Sequence, residues 1–427
     1  MFFLEKYKTF GPGLLFAAMS IGVSHVVQSV KAGALFGLLL IPVVIIAHLI
    51  KYPFFKFAVQ YSAHTKRSLL EGYHLLGKGY LRLFLVFILL SMSTIVAAVT
   101  FVGATILSNM LGGKIDVKVL YLVLFIGSAL MLLKGHYQSL DKWIKVILVF
   151  MSLLTIYVVM YSLLFRGHMV EWQTITEWSG VNFDITSPLH IAFLVSLVGW
   201  LPCPLELSTW QSEWLLEKEK ISKGAIKNSL LDFRIGYFIS IVLSVLFLLL
   251  GSIYMHYSGI EPASKGTIFI QQFVQSYTQV IGKWSTPIIS LVVFLTIFSS
   301  VMTLIDGYPR SILSSLKILG YDLNENKSYF WGVVALFLGS SAIIFLFTSH
   351  FTTLISVATT LSFFAIIVFS YINYKVIQTI AHEIGEDDKV ILSKNMKLIS
   401  VGSLILLGFF SFFALFYKWG FLILGLL

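Results

Sequence analysis

The chain has little of what a water-soluble protein uses to stay in solution. Only 12% of its 427 residues are charged, 20 Asp plus Glu against 30 Lys plus Arg, where about a quarter is usual for a soluble domain. So few charges cannot coat a globule of 48.0 kDa, which excludes a soluble enzyme and a disordered tail. Cysteine is nearly absent: Cys203, the single one, permits no intrachain disulfide and no multi-thiolate metal site. The stock enzymatic motifs, a Walker A loop, HExxH, a Cys-rich zinc pattern and GxSxG, are also missing. What the chain has is apolar sequence, 58% by residue with a mean hydropathy of +0.90, falling in runs long enough to cross a bilayer. The reading is an all-α membrane protein that is not an enzyme.

Stretches of about 20 apolar residues give eleven candidate spans, at roughly 11–30, 34–60, 84–112, 118–134, 143–165, 188–214, 233–257, 285–308, 329–348, 351–376 and 397–417. The loops between them are short, so 1–427 reads as one polytopic membrane domain. The segment from Glu213 to Lys227 carries the longest run of charge and reads as a helical extension and cytoplasmic loop. With the N-terminus inside, 22 of the 30 Lys and Arg fall on the cytoplasmic side. Seven (Lys31, Lys114, Lys118, Arg166, Lys265, Lys283 and Lys418) fall outside or lean outward, and Lys51, near a helix end, is unassigned. Because Lys and Arg resist translocation, this bias predicts N-terminus in and C-terminus out, in a bacterial inner membrane. The net charge of +10 is then topological and implies no nucleic-acid partner.

Two spans are interrupted. The first reads GPGLLFAAMSIGVSHVVQSV, with Ser20, Gly22, Ser24 and His25 at its centre; the sixth reads LVSLVGWLPCPLELSTWQSEW, with Gly199, Pro202 and Pro204. Each proline deletes a backbone donor and clashes with the preceding turn, so a continuous helix through Pro202 and Pro204 is excluded. Such backbone is tolerated at membrane depth only where it faces protein or a watery cavity. Either could be an ordinary kink. Interruptions in the first and sixth spans, however, are corresponding positions if 11–165 and 188–376 are inverted copies and 397–417 is an extra helix. That pairing marks a secondary transporter with a central site.

These residues resemble the NRAMP (natural resistance-associated macrophage protein) family of divalent-metal transporters. Gly11-Pro12-Gly13, Ala32-Gly33-Ala34 and Leu201-Pro202 match that family's landmarks, and the similarity runs over nearly all spans. The resemblance implies a LeuT-type fold of two inverted five-helix repeats with helices one and six broken. The departures fall on the metal site. Where the family has Asp-Pro-Gly-Asn, this chain has Gly22-Val23-Ser24-His25; where it has Met-Pro-His, this chain has Leu201-Pro202-Cys203. The family's acidic proton-path positions in the third span fall on Ala97 and Thr100. Gly, Leu and a neutral His are poor ligands for a dehydrated divalent ion.

Around the breaks, Ser24, Gln28 and Lys31 follow helical spacing with His25 beside them, so all four can share one face. With the half-helix N–H groups they offer donors and positive charge to an anion. His25 can instead simply bond a neighbouring helix, and Lys31 can snorkel to the headgroups. Pro204 is expected to open the second half-helix of span six, with Glu206 in its first turn as a cap, or paired with Lys31 or His25. Cys203 reads as a small buried filler in the break. By resemblance to other transporters of this fold, Ser299, Ser300 and Thr303 with backbone oxygens near Ser20 and Ile21 are sodium candidates; these hydroxyls can equally bond their own helix. Asp306 is expected to pair with Arg310. The leading expectation is a secondary-active carrier of a small oxyanion such as bicarbonate, with Na⁺ as the candidate coupling ion and no other cofactor. Substrate-binding candidates are Ser20, Gly22, Ser24, His25, Gln28, Lys31, Leu201, Cys203 and Glu206. The alternatives are a divalent cation (Mg²⁺ or Mn²⁺) as cargo and, from another class, a non-transporting receptor or scaffold.

Overall fold

Inside a bilayer a chain must close its backbone hydrogen bonds within each segment, and long apolar runs therefore fold as helices. A computed structural model describes residues 11–133, 137–165, 183–347, 351–384 and 392–423. Every regular element among them is helical. In order they are α1 (Pro12–Ser20), a π-turn (Ser24–Ser29) running into α2 (Val30–Phe36), α3 (Ile41–Thr65), α4 (Leu69–Leu76), α5 (Lys78–Met110), α6 (Val117–Leu133) and α7 (Tyr137–Phe165). Then come α8 (Pro188–Trp200), α9 (Leu207–Ile221), α10 (Ala225–Gly251) with a π-turn at Ser252–His256, α11 (Gly266–Ile281), α12 (Thr286–Ile318), α13 (Glu325–Phe347), α14 (Phe351–Ile384) and α15 (Lys394–Ile423).

Among the described residues, seven helical stretches are long and apolar enough to cross a membrane; shorter apolar helices lie at Val117–Leu133, Val149–Phe165 and Pro188–Trp200. Helices lie on all the expected segments, with two additions and one shift. The additions are α4, opened by a capping box in which Ser68 and Glu71 satisfy each other's backbone N–H groups, and α11. The latter buries Phe269, Ile270, Phe273, Val274 and Tyr277 along one side, a stripe too narrow to read as a span. The shift is in the second span. Gly37, at φ 53°, ends α2, and Pro42 stands in the first turn of α3. Lys51 is therefore mid-helix, not near a helix end. Of the cations used to orient the chain, Lys6, Lys8, Lys134, Arg166 and Lys389 lie outside the described residues, as do the side chains of Lys142, Lys145 and Lys418.

The central scaffold is α10 packed along α1, α2 and α3, with α12 against α5 and α14 against α8. α10 meets both halves of the first span at glycine crossings. A side chain at Gly13 would overlap the Asp232 carbonyl, and one at Gly236 the Gly13 carbonyl; Gly33 and Gly251 stand likewise against the Leu248 and Val30 carbonyls. Only glycine lets the backbones approach so closely. The first crossing is fixed by charge as well: the N–H groups of Gly11 and Gly13 donate to Asp232 Oδ2 at 3.0 and 2.8 Å. Asp306, on α12, accepts from Arg310 Nε at 2.7 Å and from the Tyr329 hydroxyl at 2.7 Å, so the expected Asp306–Arg310 pair forms.

Candidate functional site

The first break is smaller than the sequence suggests. α1 stops at Ser20, Ile21 and Gly22 turn, and helical structure resumes at Val23, continuing as a π-turn from Ser24. A side chain at Gly22 would run into the Ser300 hydroxyl of α12. Ser24 Oγ donates to the Ser20 carbonyl and lies 3.1 Å from the Pro202 carbonyl, so it ties the first break to the sixth-span break. His25 Nδ1 is 2.9 Å from the same hydroxyl. Its Nε2 faces the Ser240 carbonyl at 3.0 Å and the Ser244 hydroxyl at 2.8 Å, both on α10. His48 of α3 joins this cluster, its Nε2 3.3 Å from Ser244 Oγ.

The expected common face for Ser24, His25, Gln28 and Lys31 is split by the wider π-turn. Ser24 and Gln28 turn toward the sixth span, where Gln28 Nε2 donates to Ser196 Oγ at 2.8 Å and Ser196 is 2.5 Å from Thr359 Oγ1. His25 turns toward α10, and Lys31 stands partly exposed.

The sixth-span break is longer. Residues 201–206 are non-helical between α8 and α9, with a cis bond between Leu201 and Pro202. The second half-helix starts at Leu207, not at Pro204, because Pro204 serves as the acceptor of a preceding tight turn, Leu207 N–H donating to its carbonyl at 3.2 Å. Glu206 thus precedes α9 and makes no capping hydrogen bond to it, which corrects the capping expectation. Glu206 is 1% exposed and neither carboxylate oxygen has a hydrogen-bond partner. Cys203 is buried beside it, and Leu201 is fully buried.

The residue that sequence reasoning missed is Lys51. It is fully buried, and its Nζ donates to the carbonyls of Val198 at 2.7 Å and Gly199 at 3.1 Å, at the end of α8. A lysine amid a long apolar run, next to Tyr52-Pro53, was the available signal. At the sodium candidates, Ser20, Ser299 and Thr303 hydroxyls donate to the Phe16, Thr296 and Ser299 carbonyls of their own helices. Ser300 Oγ is buried without a partner, beside Gly22 and the turn at Ile21. No group of three or more His, Cys, Asp or Glu able to hold a metal ion occurs among the described residues.

Two broken helices facing each other across a buried polar centre are matched by comparison with known proteins. The sequence matches the natural resistance-associated macrophage protein-like (Nramp) family over residues 13–378. The chain belongs to the Nramp family. It is 32% identical over 387 residues to an uncharacterized protein of Pasteurella multocida, covering 89% of this chain and 87% of that one. Among solved structures, it is similar to the Eremococcus coleocola manganese transporter in complex with an aromatic bis-isothiourea substituted compound, with a TM-score of 0.55, 12% identity and coverage of 95% and 94% of the two chains. It is also similar to MhsT in complex with L-phenylalanine, with a TM-score of 0.63, 12% identity and coverage of 93% and 98%. At these identities the likeness is one of fold, and the fold is LeuT-type. This Nramp-family chain is an integral membrane transporter, not an enzyme.

Proposed function

We propose that the chain is a secondary-active transporter of a small oxyanion, bicarbonate being the type case, carried between the two breaks. The observation that carries this reading is Lys51, a fully buried cation in the broken region. Its ammonium engages backbone carbonyls that would otherwise be available to a cation, and it gives the centre a positive charge. An ammonium in low dielectric attracts an anion far more strongly than the same group in water. Ser24 and Gln28 add hydroxyl and amide groups. Na⁺ is the proposed coupling ion, with Ser300 and the carbonyls of the adjoining first break as its ligands. The bacterial inner membrane, with the N-terminus inside, is the proposed setting.

Proteoliposomes loaded with a pH-sensitive and a manganese-quenched dye test this directly. Bicarbonate uptake that rises with an inward Na⁺ gradient, with no quenching by Mn²⁺, is the expected outcome. Quenching by Mn²⁺ without a bicarbonate signal discards the reading.

One observation favours a second reading, in which Mg²⁺ or Mn²⁺ is the cargo: the unpartnered carboxylate of Glu206. A divalent ion carried with much of its water needs few direct ligands. Calorimetric titration with both metals separates the two readings, since only the second expects saturable heat.

A further inference from the structure

Hydrogen-bond bookkeeping fixes which way the Gln28 amide faces. Thr359 on α14 has one hydroxyl hydrogen, and its oxygen lies 2.8 Å from the Ile355 carbonyl and 2.9 Å from the Ser356 carbonyl. A carbonyl only accepts, so that hydrogen goes to the helix's own backbone. Thr359 must then accept from Ser196, whose hydroxyl is 2.5 Å away and whose single hydrogen is thereby spent. Ser196 has only lone pairs left for Gln28, 2.8 Å away, and the amide therefore presents its nitrogen. This assignment keeps every contact in the chain from Gln28 through Ser196 to Thr359. Turning the amide over would take the Thr359 hydrogen away from both carbonyls.

The consequence lies at the other edge of the amide. The Gln28 oxygen and its second N–H have no hydrogen-bond partner among the described residues, although the residue is only 3% exposed. A buried acceptor left bare is costly, and it can be met only by a group that brings a hydrogen. The amide lies beside both breaks: Ser24, four residues earlier, reaches the Pro202 carbonyl, and Ser196 stands two residues before the Val198 carbonyl that Lys51 holds. A bare oxyanion such as nitrate offers acceptors only. Bicarbonate carries a hydroxyl beside its acceptor oxygens, which complements an amide edge of one acceptor and one donor. We propose that Gln28 selects the cargo by its hydroxyl, the amide oxygen accepting the O–H and the free N–H donating to a neighbouring oxygen of the same anion. Ser196 and Thr359 are the positioning residues that hold the amide in this sense. The inference rests on the oxyanion reading above and narrows it to oxyanions that keep a proton.

The test is calorimetric titration of the purified full-length chain in detergent, with Na⁺ and ionic strength held constant. Bicarbonate, at a pH where it predominates, is compared with nitrate, a planar monovalent oxyanion without a hydroxyl. The wild type is expected to bind bicarbonate at least about tenfold more tightly, since a site made for a hydroxyl rejects an analogue that lacks it. Gln28→Met keeps the length of the side chain and loses both polar atoms; it is expected to weaken bicarbonate about tenfold and nitrate much less. Ser196→Ala frees the amide to turn over and is expected to lower the same ratio with Gln28 still in place, whereas a merely structural tie would shift both affinities together. Binding of neither anion by the wild type discards the oxyanion reading, and this inference with it. Equal binding of both overturns selection by the hydroxyl and leaves that reading standing. So does a ratio unchanged in Gln28→Met or, if that variant fails to fold, in Ser196→Ala.

Discussion

The two helix breaks are made by different residues and leave different debts in hydrogen bonding. The first turns at Gly22, which keeps its N–H and merely lets α12 approach. Helical structure resumes within two residues, at Val23, and Ser20, Ser24, His25 and Gln28 find partners in the protein, leaving only the neutral hydroxyls of Ser29 and Ser300 nearby without one. The second runs through Pro202 and Pro204, which have no N–H to give. Its carbonyls need a donor from elsewhere, a charged one arrives from α3, and a carboxylate is left without partners. A glycine break can be mended by neighbouring hydroxyls. A double-proline break calls in charge, and charge is what lets a site choose an ion.

That contrast can be broken most severely at the second break. Lys51→Met should lower stability by about 1–3 kcal/mol for each of the carbonyls of Val198 and Gly199 that it strands, and the double variant with Glu206→Gln, which also removes a buried carboxylate charge, should recover part of the loss. Equal stability of the single and double variants in denaturant titrations would mean that the two groups do not sense each other. At the first break the effect should be smaller. Ser24→Ala removes a neutral hydroxyl and should cost about 1 kcal/mol, with melting curves as the readout; a loss as large as that of Lys51→Met would erase the distinction between the breaks. The smallest effect lies outside the membrane, in the last turn of the second half-helix. Glu219 accepts the N–H groups of Ile226 at 2.8 Å and Gly224 at 3.0 Å, and these bonds, that to Ile226 foremost, hold its carboxyl below its ordinary 4.5. For a depressed carboxylate the contribution is complete above the unfolded pKa and is lost as pH falls through the folded one. The wild type should therefore lose a slight increment of Tm on acidification below about pH 4.5 that Glu219→Gln lacks.

The fold was legible because its signals are long and redundant: apolar runs, prolines, and paired interruptions in the first and sixth spans. The position of the second break was legible for the same reason, since Pro202 and Pro204 admit one outcome. The site's chemistry was less so. Lys51 was passed over because it was left as an unassigned cation, and its partners, the carbonyls of Val198 and Gly199, lie far along the chain where only the folded packing shows them. The face shared by Ser24, His25 and Gln28 was drawn at ordinary helical spacing, and a π-turn, which leaves no mark in composition, redirected His25 to α10. Glu206 looked like a cap because Pro204 suits a first turn; the tight turn from Pro204 to Leu207 displaced it.

The glycine crossings of α10 bear on how such a molecule can move. Both pieces of the interrupted first span are pinned to that one helix, above and below the turn at Ile21 and Gly22. α10 is thus a splint across a fracture, and the two pieces travel with it as a single lever. On the sixth-span side, by contrast, six non-helical residues supply slack that the first span lacks.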